Sequence, residues 1–263
     1  MVFFHRFYAK HSFQKHDRFE VAVACILLAA KTEESPRKVI AVIDECLKLR
    51  NRAAAGRAGQ SPSHAGSSPT ASSPSPKSEE FLKLKERILL LERVVLHTIG
   101  FELSVDHPYK FIVDQIRMMI QKRQVEFISP PANVTNAKQR QDRLMDKLAQ
   151  YAMNFANDSF ETSLCIQFPS KQIAQACVYL AGQFAKTKAD WVAVLEITEV
   201  EGFASICDQL IQLVSDKRPA DREALVAMRK ALDDLRKVNA GLGKSPPRSP
   251  QPPPPNAKRP RVN

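Results

Sequence analysis

Residues 19–30 read Phe-Glu-Val-Ala-Val-Ala-Cys-Ile-Leu-Leu-Ala-Ala, apolar at every position but Glu20. A helix of this composition has no polar face, so water cannot be its neighbour on any side. Alanine at positions 22, 24, 29 and 30 favours helix over strand and lets neighbouring helices approach closely. The uninterrupted run, 21–30, is about half of the ~20 residues that span a bilayer. It belongs in the centre of a helical bundle. Asp17, with Glu20 three residues on, forms the pattern of a capping box for a helix over 17–31, and Ser35-Pro36 closes it.

The same periodicity predicts helices over 37–49, 79–99 (capped by Ser78, stopped by Gly100), 107–122 (capped by Asp106), 137–159, 170–186, 198–215 and 221–238. Prolines 108, 130, 131, 169 and 219 lie between them, where proline is tolerated. No alternating strand-length run with turn dipeptides occurs, so the expected class is all-α. The apolar helix ending Leu-Ala-Ala-Lys31 is echoed by 173–186, which contains Val178-Tyr-Leu-Ala-Gly, and this predicts two similar five-helix bundles in tandem.

Of 263 residues, 39 are Lys or Arg and 28 Asp or Glu, a net charge of +11 that invites a nucleic-acid reading. Its location answers that reading. Two stretches, 50–78 and 240–263, hold 12 of the 18 prolines, nine basic residues and no acidic one. Neither contains the apolar residues to offset the entropy of ordering, so both are expected to be disordered. The remainder carries 30 basic against 28 acidic residues. The five cysteines (25, 46, 165, 177, 207) form no C-x-x-C pair and lie among apolar residues, as buried core thiols of a reducing compartment would. The first residues, Met-Val-Phe-Phe-His-Arg, lack the pattern of a secretory signal, and the sequons at Asn133 and Asn157 then carry little weight. No phosphate-cradling glycine loop, kinase element or Ser/His/Asp order is present, and His5, His11, His16, His97 and His107 form no ligand spacing. No catalytic residue, metal or cofactor is expected, and the protein is not expected to be an enzyme.

Three segments carry a specific resemblance. They are Phe4-His-Arg-Phe-Tyr with Leu27-Leu-Ala-Ala-Lys-Thr-Glu-Glu-Ser-Pro-Arg-Lys; Leu91-Glu-Arg-Val-Val-Leu-His-Thr-Ile-Gly-Phe-Glu-Leu-Ser-Val-Asp-His-Pro-Tyr; and Leu148-Ala-Gln-Tyr-Ala-Met-Asn-Phe-Ala-Asn-Asp-Ser-Phe-Glu-Thr-Ser-Leu-Cys-Ile-Gln-Phe. Together they resemble cyclins of the transcriptional group, most closely cyclin T, with cyclins K and L next, over about residues 2–216. The resemblance implies a first cyclin box over 1–104, interrupted by the Ser/Pro-rich insert 50–78, and a second over 105–216. A C-terminal helix over 217–239 and a basic Pro-rich tail over 240–263 follow. It implies a nuclear regulatory subunit that forms a heterodimer with a transcriptional cyclin-dependent kinase and activates it toward the C-terminal repeat domain of RNA polymerase II. Direct DNA binding by the folded part and a membrane location are not expected. The alternative is a tandem cyclin-fold nucleic-acid-binding factor resembling transcription factor IIB, which a nearly neutral folded part supports poorly.

On a helix over 79–99, Ile88, Glu92, Val95 or Leu96, and Ile99 share one face. A carboxylate in that apolar stripe must be paired or solvated, and Lys31, at the end of the central helix, is the expected partner. The resemblance makes Lys31 and Glu92 hydrogen-bonding contacts to the kinase near its C-helix, and Leu28, Leu96 and Phe101 its apolar landing surface. It also implies that the chain opens inside the second helix of the first box. The first helix is then missing, a start downstream of the natural one is expected, and Val2, Phe3 and Phe7 should be left exposed. Six Ser-Pro steps, at Ser61, Ser68, Ser73, Ser75, Ser245 and Ser249, are candidate phosphorylation sites for a proline-directed kinase. Lys258, Arg259 and Arg261 read as a nuclear-import signal.

Overall fold

The computed structural model describes residues 1–57, 78–129, 136–218 and 221–242. Most of the expected disordered insert and tail, with all six Ser-Pro serines and Lys258, Arg259 and Arg261, lies outside the described residues. The first bundle comprises α1 (Val2–Tyr8), α2 (Arg18–Thr32), α3 (Val39–Arg57) and α4 (Glu79–Thr98). The second comprises α5 (Pro108–Gln121), α6 (Ala137–Ser159), α7 (Leu164–Gln167), α8 (Ser170–Phe184), α9 (Trp191–Val194), α10 (Val200–Lys217) and α11 (Arg222–Leu242). Two-residue strands β1 (Glu126–Phe127) and β2 (Thr187–Lys188) pair antiparallel beside it. Each bundle has its own apolar core.

The two central helices behave differently. Helix α8 is packed by α5, α6, α10 and α11, and every residue from Ile173 to Gly182 is buried. Among the described residues, the elements packed closely against helix α2 are α1, α3 and α4. Three neighbours cover three sides, so the expected all-round burial of α2 fails along one stripe, where Ile26 stays 49% exposed. The expected exposure of Val2, Phe3 and Phe7 is also corrected: they are 7%, 7% and 0% exposed. Helix α1 lies against α2 and α4 and also meets α7 of the second bundle, with the His5 ring bonded to the Phe160 carbonyl at 2.8 Å. That inter-bundle contact covers what a lone first bundle would leave open.

The helix ends explain the shifted boundaries. Asp17 accepts from the Phe19 and Glu20 backbone N–H groups at 2.9 Å, which is half of the expected capping box. The Glu20 carboxylate turns instead to Arg87 of α4, at 2.7 Å. Ser78 caps α4 through Phe81 N–H at 3.2 Å, as expected. Asp106 does not cap α5; His107 occupies that position and Asp106 pairs with Lys110. Helix α3 continues through Arg57 and α11 through Leu242, so the first residues of the expected disordered stretches are helical.

Gly182 has a specific packing reason. A Cβ there would run into the Trp191 indole, which docks α9 onto α8. Replacing Gly182 with Ala is expected to destabilise the protein by about 1–3 kcal/mol, as overpacking of a tight interior does, read as a lowered denaturation midpoint.

The thiols divide in two groups. Cys25, Cys177 and Cys207 are buried, whereas Cys46 and Cys165 are half-buried, which corrects the expectation of five core thiols. Burial pushes the Cys25 thiol up to about 12 and the Cys177 and Cys207 thiols well above their ordinary range. Because the neutral form is the favoured one, the stability these groups confer is whole below the unfolded thiol value of about 8.5. For Cys25 it is lost as pH rises toward 12. At neutral pH a thiol reagent should modify Cys46 and Cys165 first and reach Cys25, Cys177 and Cys207 only on unfolding, read by mass spectrometry of labelled peptides.

Candidate functional site

Lys31 is the first charged residue after the apolar run, and it stands in the last turn of α2. Its Nζ lies 2.6 Å from Oε1 of Glu92, in the C-terminal half of α4. The two partners differ in environment: the Glu92 side chain is 9% exposed and that of Lys31 is 59% exposed. The carboxylate is held in the apolar stripe with Ile88 and Val95, and its partner reaches it from the water side. An ammonium group has three N–H donors, so donors remain for an acceptor outside the chain.

Leu96 stands one turn beyond Glu92 on the same face. There α4 ends in a Schellman turn, with Gly100 N–H donating to His97 O at 3.0 Å and Phe101 N–H to Leu96 O at 3.1 Å. Gly100 takes φ +67°, which glycine adopts freely. Phe101 follows at φ +60°, a left-handed conformation costly for a residue with a side chain. Its ring stands edge-on to His97 at 5.1 Å and is 59% exposed. A backbone held at some cost, presenting an exposed aromatic ring, marks a surface rather than a core position.

The structure thus brings Lys31, Glu92, Leu96 and Phe101 to one end of the α2–α4 pair. Leu28 is different. It is 4% exposed and part of the first core, so it supports this surface from beneath and is not on it. Arg87, which secures the other end of the pair through Glu20, escaped sequence reasoning because the capping-box pattern assigned Glu20 elsewhere. Among the described residues, no group of three or more His, Cys, Asp or Glu is placed to hold a metal ion.

Comparison with known proteins bears on this geometry. The cyclin N-terminal domain family matches residues 1–104, which span α1 to α4 and contain all five of these positions. Residues 1–104 form a cyclin N-terminal domain. Beyond it, the chain is similar over most of its length to Cyclin-T1-3 of Oryza sativa subsp. japonica, at 33% identity over 229 residues, 84% of this chain and 39% of the relative. It is also similar to Cyclin-K of Homo sapiens, at 28% over 226 residues (82% and 32%). Cyclin-L1 of Homo sapiens matches at 32% over 222 residues (83% and 35%). The chain therefore spans between about a third and two-fifths of these relatives' length.

In this cyclin domain, Lys31→Ala leaves Glu92 buried without its partner. Breaking a buried pair costs about 3–5 kcal/mol, but water reaches the Lys31 side, so about 1–2 kcal/mol is expected. Adding Glu92→Leu removes the stranded charge and should return most of that loss, read by denaturant unfolding of the single and double variants.

Proposed function

We propose that the chain is a non-catalytic regulatory subunit that binds and activates a transcriptional cyclin-dependent kinase, directing it to the C-terminal repeat domain of RNA polymerase II. The observation that supports it best is the Lys31–Glu92 pair, half open to water, on the same α2–α4 pair whose α4 end presents the exposed Phe101 ring. In this reading Lys31 donates to a backbone carbonyl of the kinase, and Glu92 holds the ammonium in place while accepting from a kinase N–H. Leu96 and Phe101 give the kinase C-helix an apolar seat, and Leu28 stiffens that seat from below. Kinase activity requires the C-helix in one orientation, where its glutamate pairs with the catalytic-site lysine. A rigid surface that fits only that orientation shifts the population by its differential affinity.

The same proposal makes residues 105–216 a second cyclin box, followed by a C-terminal helix. The repeat of a central helix, α2 in one bundle and α8 in the other, supports it. It also places the protein in the nucleus, with Lys258, Arg259 and Arg261 as import signal and the six Ser-Pro serines as substrates of the bound kinase. Nuclear accumulation of a chain lacking 258–263, and unmodified serines in the active complex by mass spectrometry, would each remove that part.

The deciding experiment is co-purification of the full chain from native nuclear extract, followed by a kinase assay on polymerase repeat peptide. Wild type should recover a kinase active on the peptide. Glu92→Gln and Phe101→Ala should each weaken capture about tenfold or more, about 1.4 kcal/mol, with little change in thermal stability. Recovery of no kinase by wild type refutes the proposal. Loss of capture only in parallel with loss of folding would return Glu92 to a purely structural role.

A further inference from the structure

At the end of the second bundle, where α5 gives way to β1 and α6 begins, there is a groove of about 350 Å³. Its floor is apolar, from Ile120, Val125 and Leu144, and the guanidinium-bearing side chains of Arg123 and Arg140 stand along it. Arg123 is held in place by the end of α5. Its backbone takes φ +52°, its own N–H donates to Ile120 O at 3.1 Å, and the next residue, Gln124, donates to Met119 O at 2.9 Å. Phe127 forms a wall, with the Lys147 ammonium 5.7 Å from its ring centre, and the adjoining Ile128 is 63% exposed.

The three stretches around this groove, 120–129, 136–147 and 186–188, carry eight basic residues and three acidic ones. One of the three, Glu126, already faces Lys188 at 3.7 Å. Elsewhere, outside 50–78 and the tail, the chain has 22 basic residues against 25 acidic ones, so positive charge is concentrated here. The chemistry that matches is negative charge flanking an apolar group. A single-stranded nucleic acid would need an open aromatic platform for stacking, and Phe127 is half-buried with a lysine on its face. A folded helix would need a longer trough than one pocket of this volume.

We propose that this groove docks an acidic segment of another protein, inserting one large aliphatic side chain between carboxylates that pair with Arg123 and Arg140. This surface is on the other bundle from the Lys31–Glu92 site, so it stands independently of the kinase proposal.

The test uses the full chain and a fluorescent peptide, Asp-Glu-Glu-Leu-Glu-Asp, read by anisotropy. Binding should weaken about tenfold when serine replaces the peptide's leucine, and by at least as much with Arg123→Glu or Arg140→Glu. A photoreactive leucine at the same peptide position should label residues 120–144 of the wild-type protein, a readout that does not depend on a variant folding. Absence of binding, equal binding of the serine peptide, or labelling elsewhere overturns the proposal. Displacement of the peptide from the groove by a tenfold lower concentration of oligouridine RNA would assign the surface to nucleic acid instead.

Discussion

Two helices that have almost no polar face impose the rest of this architecture, because each has to be surrounded before the chain can leave water. Helix α8 meets that demand completely, with Ala174, Ala176 and Ala181 at 0% exposure where neighbours press close. Helix α2 meets it on three sides and stays open at Ile26. The demand also sets where the candidate site lies. No charge can enter α2 between Val21 and Ala30, and the first charged residue after that run, Lys31, is the one that turns back to Glu92.

Two ion pairs of opposite polarity bracket the α2–α4 contact. At one end α2 supplies the acid, Glu20, and α4 the base, Arg87; at the other α2 supplies the base, Lys31, and α4 the acid, Glu92. Apolar packing is tolerant of small slips, whereas sliding these helices enough to exchange partners would bring like charges together. The net contribution of such pairs to stability is small. Their effect is to select one register, and a surface built from both helices depends on that register.

The bundles also support one another. Helix α1 would be poorly covered by α2 and α4 alone; α7 and the loop after α6 complete its burial through His5 and Phe160. Charge is divided as well. A basic excess lies around the α5–β1–α6 groove, and the rest of the chain outside 50–78 and the tail carries 22 basic against 25 acidic residues. A whole-chain value of +11 conceals both facts.

Helix class, the central apolar helices and the need of Glu92 for a partner were legible because they follow from composition and from the 3.6-residue period, which are local properties. Lys31 was the expected partner, and the 2.6 Å contact between α2 and α4 is what the tertiary structure adds. Helix ends were less so. The stops at Glu34, Arg123, Lys186 and Glu196 are left-handed residues that are not glycine, and only the one at Gly100 announces itself in the chain. The short α9 was invisible because Trp191 is fixed by its contact with Gly182 rather than by any periodicity. Burial of Val2, Phe3 and Phe7, the sinking of Leu28 below the surface on which Phe101 stands, and the gathering of Arg123, Arg140 and Phe127 around one groove are relations between segments far apart in the chain. A one-dimensional pattern states which residues must avoid water or carry charge; which partner satisfies each of them depends on which surfaces the folded bundles bring within a few ångströms.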